Sequence, residues 1–149
     1  MSGLLIRNGE WVVVCDGAKA LVLVNEGDTK ILSLKTIRIF EQEDPATREQ
    51  GADAPGRTVN SIGSARSAVE QTDWHDQAER AFLVRLARYL DAAVTGGKAA
   101  TIIMVAPPRA LGMIRPAYGH ALKAALRAEI DKDFVRLPMH VIEKRLAGG

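Results

Sequence analysis

The chain has 149 residues, of which 47% are hydrophobic and 26% charged, with a formal net charge of +2. This composition is typical of a soluble globular protein with enough apolar side chains for a buried core, so we predict one domain over residues 1–149. The single cysteine, Cys15, excludes an internal disulfide and a cysteine-based metal cluster. No apolar run is long enough for a signal peptide or a membrane span, so the predicted location is the cytoplasm, with no membrane partner.

Three strands are predicted in the first forty residues. Trp11–Cys15 and Ala20–Val24 are apolar runs separated by Asp16-Gly17, a strong hairpin signal. Because neither run alternates between apolar and polar side chains, we expect this hairpin in the middle of a sheet with both faces covered. Ile31–Phe40 does alternate and is predicted as a third, more exposed antiparallel strand.

A polar stretch and a long helix follow. The stretch at about 41–66 has prolines, glycines and almost no large apolar side chain, which predicts a long loop that is functional or mobile. Apolar side chains within residues 78–94 recur at helical spacing, and a pair of glycines ends the pattern. Ser67 and Asp73 are both suitable N-caps for this helix. Ser67 also forms a capping-box pattern with Glu70, which favours the earlier start.

The remaining chain is predicted to contain one more strand and three helices. The strand, Thr101–Ala106, follows a long helix and is therefore expected to run parallel to its neighbour. Helices are predicted over Arg109–Arg115, from Pro116 to about Asp133, and over Met139–Leu146, with residues 134–138 as a connector or short edge strand. The sequence thus predicts an α/β fold: a mixed sheet of three antiparallel strands plus one or two parallel strands, flanked by helices, in a ribonuclease-H-like arrangement.

The segment before the long helix carries candidate binding residues. Gly63 can adopt φ > 0 and let the backbone approach a ligand closely. A helix that begins near Ser67 would direct free N–H groups and its positive dipole end toward this segment, where Arg57 and Arg66 would add charge for a phosphate. These features predict an anion-binding or RNA-binding loop. The alternative is a solvated loop whose arginines pair with Glu49, Asp53 or Glu70.

Two catalytic hypotheses centre on His75. This histidine lies beside Asp73 and Asp76, so it is either a general base or a helix residue bonded to a neighbouring carboxylate. A Ser-His-Asp set could combine His75 and Asp73 with Ser64 or Ser67, but the Gly-x-Ser-x-Gly turn that exposes a serine nucleophile is absent.

Metal-dependent nuclease chemistry is disfavoured by the sequence. A two-metal site would use Asp16 with Asp76 or Glu79 and a third carboxylate after the fourth strand, where the chain reads MVAPP instead. Asp16 is explained by the turn that it makes with Gly17. We therefore expect no metal and no cofactor.

Four segments in chain order resemble the bacterial host-attachment protein family: WVVVCDGAKALVLVNEG, FEQEDPATREQGADAPGR, SIGSARSAVEQTDWH and MVAPPRALGMIRPA. The resemblance covers nearly the whole chain. It implies the fold of the middle domain of archaeal and eukaryotic peptide-chain release factors, and a role with ribosome or tRNA in translation quality control. The alternative is a non-enzymatic interaction protein that is required indirectly for attachment to host cells.

In release factors, a Gly-Gly-Gln loop before a long helix helps water to cleave peptidyl-tRNA. The resemblance matches Gly63 to the first glycine and Ser67-Ala68 to the residues after the glutamine. Ser64 stands in place of the second glycine and no glutamine lies at the tip, so a hydrolase and a binding protein without hydrolase activity both remain open. The candidate catalytic residues are Gly63, Ser64, Arg66, Ser67 and His75, and the candidate RNA-binding residues are Arg57 and Arg66.

Overall fold

The structure, a computed structural model, describes residues 4–42 and 68–148, with side chains described from residue 74 onward in the second range. A five-stranded sheet forms its centre, in the order β3-β2-β1-β4-β5. The predicted loop at about 41–66 lies almost entirely outside the described residues.

The predicted hairpin is confirmed. Strand β1 (Trp11–Cys15) pairs antiparallel with β2 (Lys19–Asn25), and β1 is the central strand of the sheet. Asp16 makes the turn, because its Oδ1 accepts the backbone N–H groups of Ala18 at 2.8 Å and Lys19 at 2.9 Å. All five side chains of β1 are buried, as expected for a strand that is covered on both faces.

The third strand, β3 (Leu34–Glu41), lies at one edge of the sheet and is mostly exposed, as predicted. It begins three residues later than expected. Asp28 causes the difference, because its Oδ1 accepts the N–H groups of Lys30 and Ile31 at 2.8 Å and folds that segment into a turn. The alternating pattern at Ile31 therefore precedes the strand.

The long helix α1 (Ala68–Thr95) follows the predicted pattern, and its first residue agrees with the earlier of the two expected starts. Its apolar stripe packs on one face of the sheet, with Phe82, Leu86 and Leu90 buried. After the helix, Gly97 has φ 79°, a conformation that glycine adopts readily at a helix C-terminus.

The chain then returns through strand β4 (Ile102–Ala106), which pairs parallel with β1 as predicted. Helix α2 (Pro108–Ile114) and a 3₁₀ turn (Arg115–Ala117) follow directly. Pro108 at the first position of α2 and Pro116 at the second position of the 3₁₀ turn are tolerated because the missing N–H would have no intrahelical partner there.

The predicted helix from Pro116 to about Asp133 is wrong. The chain forms a short helix, α3 (His120–Ala125), and passes directly into strand β5 (Leu126–Asp131), which pairs parallel with β4. The free edge of β4 offers backbone partners that a longer helix would leave unused, and a strand here satisfies them. Residues 132–138 are the connector to helix α4 (Met139–Leu146), whose bounds are as predicted.

Two layers of side chains cover the sheet. Helices α1, α2 and α3 bury one face. The other face is covered by Ile6, Phe134 and Val135, together with Ile142 and Leu146 of α4. The predicted fold class, a mixed α/β sheet flanked by helices, is confirmed with two parallel strands beside the antiparallel three. Among the described residues no helix combines the length and apolarity that a bilayer crossing needs.

Candidate functional site

The candidate site lies at the carboxyl edge of the parallel strands. Strands β1 and β4 both end there, and the antiparallel β3 ends beside the first residues of β2. In α/β sheets, ligands commonly bind in the crevice outside the carboxyl ends of the strands. Here that edge brings together the turn at Asp16-Gly17, the end of β3 at Gln42, and the chain after β4 at Arg109.

Arg109 joins the first turn of α2 to α1. Its Nη2 lies 3.0 Å from Glu79 Oε1, its Nε donates to the same oxygen at 3.1 Å, and Nη2 also donates to the Asp76 carboxylate. The hydrogen bonds to Asp76 and then Glu79 raise the pKa of Arg109, so the guanidinium stays charged. This ion-pair set links α1 to the first turn after β4.

Gly17 and Gln42 connect the same helix to the hairpin. A Cβ atom on Gly17 would lie 2.9 Å from Glu79 Cδ, so the absence of a side chain allows α1 to approach the turn closely. Gln42 donates from Nε2 to the Gly17 carbonyl at 2.9 Å and from its backbone N–H to the Ala18 carbonyl at 2.8 Å. The end of β3, where the undescribed segment begins, is therefore held at this edge.

His75 is the only predicted site residue within the described part of the chain. It is exposed on α1, two turns after the first helical residue, and it has no hydrogen-bond partner among the described residues. The neighbouring Asp76 carboxylate is directed to Arg109 and does not orient the imidazole. Beside it, the Trp74 side chain is also exposed, at 54%. The other predicted residues, Arg57, Gly63, Ser64, Arg66 and Ser67, lie outside the described residues.

The carboxylates considered for a metal site have other partners. Asp16 binds its own turn, while Asp76 and Glu79 bind Arg109. Within residues 4–42 and 74–148, no three His, Cys, Asp or Glu side chains are grouped so that they could hold a metal ion. Sequence reasoning missed Arg109, although its position directly after a buried parallel strand and two prolines is a signal that could have marked it.

A second charged cluster lies at the opposite, amino edge of the sheet. Glu10, which is 3% exposed, accepts two bonds from Arg127 (2.6 and 2.9 Å), one from the Thr101 hydroxyl (2.8 Å) and one from the Arg7 backbone N–H (2.8 Å). Burial raises the pKa of Glu10, but these hydrogen bonds outweigh it and hold the pKa at about 2. The cluster ties β5 to the start of β1 and is structural.

The protein is therefore an α/β protein. Its long helix α1 packs on the sheet and is linked by Arg109 to the carboxyl end of β4. The family model described as bacterial archaeo-eukaryotic release factor family 12 matches residues 10–146, and the chain belongs to this family. The release-factor part of the sequence resemblance is thereby confirmed. The host-attachment part stays a prediction, as does the ribonuclease-H-like arrangement.

Comparison with curated proteins gave no match. Two solved structures are similar in part. One is an archaeal translation termination factor, aRF1, with 11% identity and a TM-score of 0.46, where the similarity covers 92% of this chain and 36% of that one. The other is the ethanolamine utilization protein EutJ from Carboxydothermus hydrogenoformans, with 13% identity and a TM-score of 0.40 over 86% of this chain and 47% of that one. The chain thus spans less than half the length of either structure.

Proposed function

We propose that this protein is a release-factor-like domain that acts in the cytoplasm and binds the ribosome or tRNA through residues 56–70. The observation that carries the proposal is the family match over residues 10–146. Within that match, the sequence GSARS stands directly before a helix that begins at Ala68. This is the order that the release-factor resemblance implies for a loop presented to peptidyl-tRNA.

Charge and anchoring support the binding role. Arg57 and Arg66 would meet phosphate groups, and guanidinium groups suit them because they donate paired hydrogen bonds. The described residues before and after the undescribed residues 43–67 contact the sheet edge: Gln42 bonds to the hairpin turn, and α1 pairs with Arg109. A loop anchored at both sides loses less conformational entropy on binding than a free tail does.

Hydrolysis is a separate part of the proposal. Ser64 and the missing glutamine remove two features of the release-factor loop, so we propose binding as the main activity and slow or absent cleavage of peptidyl-tRNA. His75 remains a candidate general base, because its side chain is exposed on α1 and makes no hydrogen bond to another described residue.

Co-sedimentation with ribosomes tests the binding role. We expect the wild-type protein to sediment with ribosomes, and Arg57→Ala with Arg66→Ala to reduce the bound fraction at least fivefold. Arg136→Ala with Lys144→Ala is the matched control, because both side chains are exposed and the same two charges are lost. Equal sedimentation of the two double variants would exclude the loop as the binding element.

A release assay tests the chemistry. Purified ribosomes stalled with labelled peptidyl-tRNA are incubated with the wild type, Gly63→Pro and His75→Ala, and free peptide is measured. Loss of release in Gly63→Pro, with the circular dichroism spectrum unchanged, would assign catalysis to the loop. If the wild type neither binds nor releases, the alternative holds: an interaction protein whose effect on attachment to host cells is indirect.

A further inference from the structure

A groove runs between α1 and the segment that follows α2, away from the carboxyl edge of the sheet. Two cavities, of about 540 and 280 Å³, lie between α1 and this segment, and a third, of about 660 Å³, lies between the same segment and the first residues of β5. The two cavities on α1 share Arg88 and Ala117, and the third shares Pro116 with the 280 Å³ cavity, so the three adjoin one another.

One wall of the groove is a single row of α1. Arg80, Val84, Arg88 and Ala92 are spaced four residues apart and therefore lie on one side of the helix. Arg80 and Arg88 are separated by about 12 Å along the helix axis, given the rise of about 1.5 Å per residue. The two arginines are thus separated along the length of the groove.

The groove carries an excess of positive charge. Its lining includes five basic side chains (Arg80, Arg88, Arg115, Lys123, Arg127) and two acidic ones (Asp91, Glu129). The acidic groups are already bonded: Glu129 to Arg115 and Tyr118, and Asp91 to the Leu122 N–H at 2.9 Å. Arg80, Arg88 and Lys123 have no carboxylate within 4.0 Å in the part of the chain that the structure describes.

In the cavity that Arg80 and Arg88 line, the remaining lining is apolar. Val84, Met113, Pro116 and Ala117 form the floor between the basic side chains. A charged wall over an apolar floor suits a polymer that carries regularly spaced anions on one side and sugar or base surfaces on the other. Guanidinium groups also match the oxygens of a phosphodiester through paired hydrogen bonds.

We propose that this groove binds the phosphate backbone of single-stranded RNA, as a second contact surface in addition to the one proposed at residues 56–70. The inference rests on the proposed function, because it takes RNA as the partner. It adds a surface for which Arg80 and Arg88 are the principal phosphate contacts and Lys123 extends the positive charge around Pro116.

Fluorescence anisotropy with a labelled 12-nucleotide polyuridylate tests the proposal. We expect Arg80→Gln with Arg88→Gln to weaken binding at least tenfold at low salt. The slope of log K against log salt should fall by about 1.4, since each phosphate contact on a single strand contributes about 0.7. Arg85→Gln with Lys144→Gln is the matched control: it removes two positive charges, one of them from α1, and neither residue lines the groove. It should change the affinity less than twofold.

Three results would overturn the inference: no binding of polyuridylate by the wild type, equal weakening in both double variants, or tighter binding of a 12-residue polyglutamate than of RNA. The ribosome assay separates this failure from failure of the proposed function. If one of these three results is found while Arg57→Ala with Arg66→Ala still abolishes ribosome binding, the loop proposal stands and the groove proposal falls.

Discussion

Replacing Glu10 by glutamine removes a buried negative charge and keeps the shape of the side chain. In the wild type the carboxylate is held by Arg127, Thr101 and the Arg7 backbone. Glutamine can accept some of these bonds through its Oε1. Its NH₂ group, however, would face a donor, so at least one of the present bonds must be lost.

The magnitude follows from the pKa. The pKa of Glu10 is lowered from 4.5 to about 2 on folding. At about 1.36 kcal/mol per pKa unit, the ionised carboxylate adds roughly 3 kcal/mol to the free energy of unfolding. Because the folded-state pKa is the lower one, this contribution is complete above pH 4.5 and is lost as the pH falls toward 2.

Urea unfolding followed by circular dichroism measures this contribution. We expect Glu10→Gln to lower the free energy of unfolding by about 3 kcal/mol at neutral pH, with the difference from wild type shrinking between pH 4.5 and 2. Glu26→Gln is the control, since its 3.6 Å pair with Lys35 is exposed. Its effect should stay within about 0.5 kcal/mol. If the difference in free energy of unfolding between the wild type and Glu10→Gln stays constant down to the lowest pH, the stabilisation does not come from ionised Glu10.

Two further predictions concern backbone fit and the buried thiol. Gly27→Ala should destabilise the protein by about 1–3 kcal/mol, because the new Cβ would overlap the Ile31 carbonyl oxygen. Gly112 lies in helix α2, and a Cβ there would have nothing within 4 Å, so Gly112→Ala should stabilise the protein by about 0.5–1 kcal/mol in the same urea assay. Effects of the same sign for Gly27→Ala and Gly112→Ala would contradict this explanation. Cys15 is buried, and burial raises the pKa of its thiol to about 12, so a disulfide reagent at about pH 8 should label it only after denaturation. Rapid labelling of the folded protein would show that β1 opens.

The parts of the fold that depend on local pattern could be predicted from the sequence. The hairpin around Asp16, the apolar stripe of α1 and the buried β4 each carry a clear signal within a few residues. Strand β5 could not be predicted in this way, because Leu126 and Ile130 are four residues apart, as in a helix, and also lie on alternate positions of a strand. The free edge of β4 decides between the two, and only the assembled sheet contains that edge.

The candidate site was predicted only in part for a similar reason. The long helix and the loop before it could be located from composition and breakers. The position of Arg109 after a buried strand could have marked it, but its partners could not be assigned, because Asp76 and Glu79 lie 33 and 30 residues away in the sequence. Pairing over such distances depends on the parallel placement of β1 and β4. The basic row on α1 reads in sequence as an ordinary solvated face until Pro116 and Ala117 close the other side of the groove.

Both faces of the sheet are covered by side chains, and this has a consequence for folding during translation. Val12 and Val14 of β1, with Leu23 of β2, pack on one face against Ile142 and Leu146. The hairpin thus leaves the ribosome roughly 120 residues before the helix that covers it, which at about 5–20 residues per second is about 6–24 s. During that interval this face of the hairpin lacks the cover that α4 provides. We therefore expect the nascent chain to need chaperones early in translation, before α4 has been made.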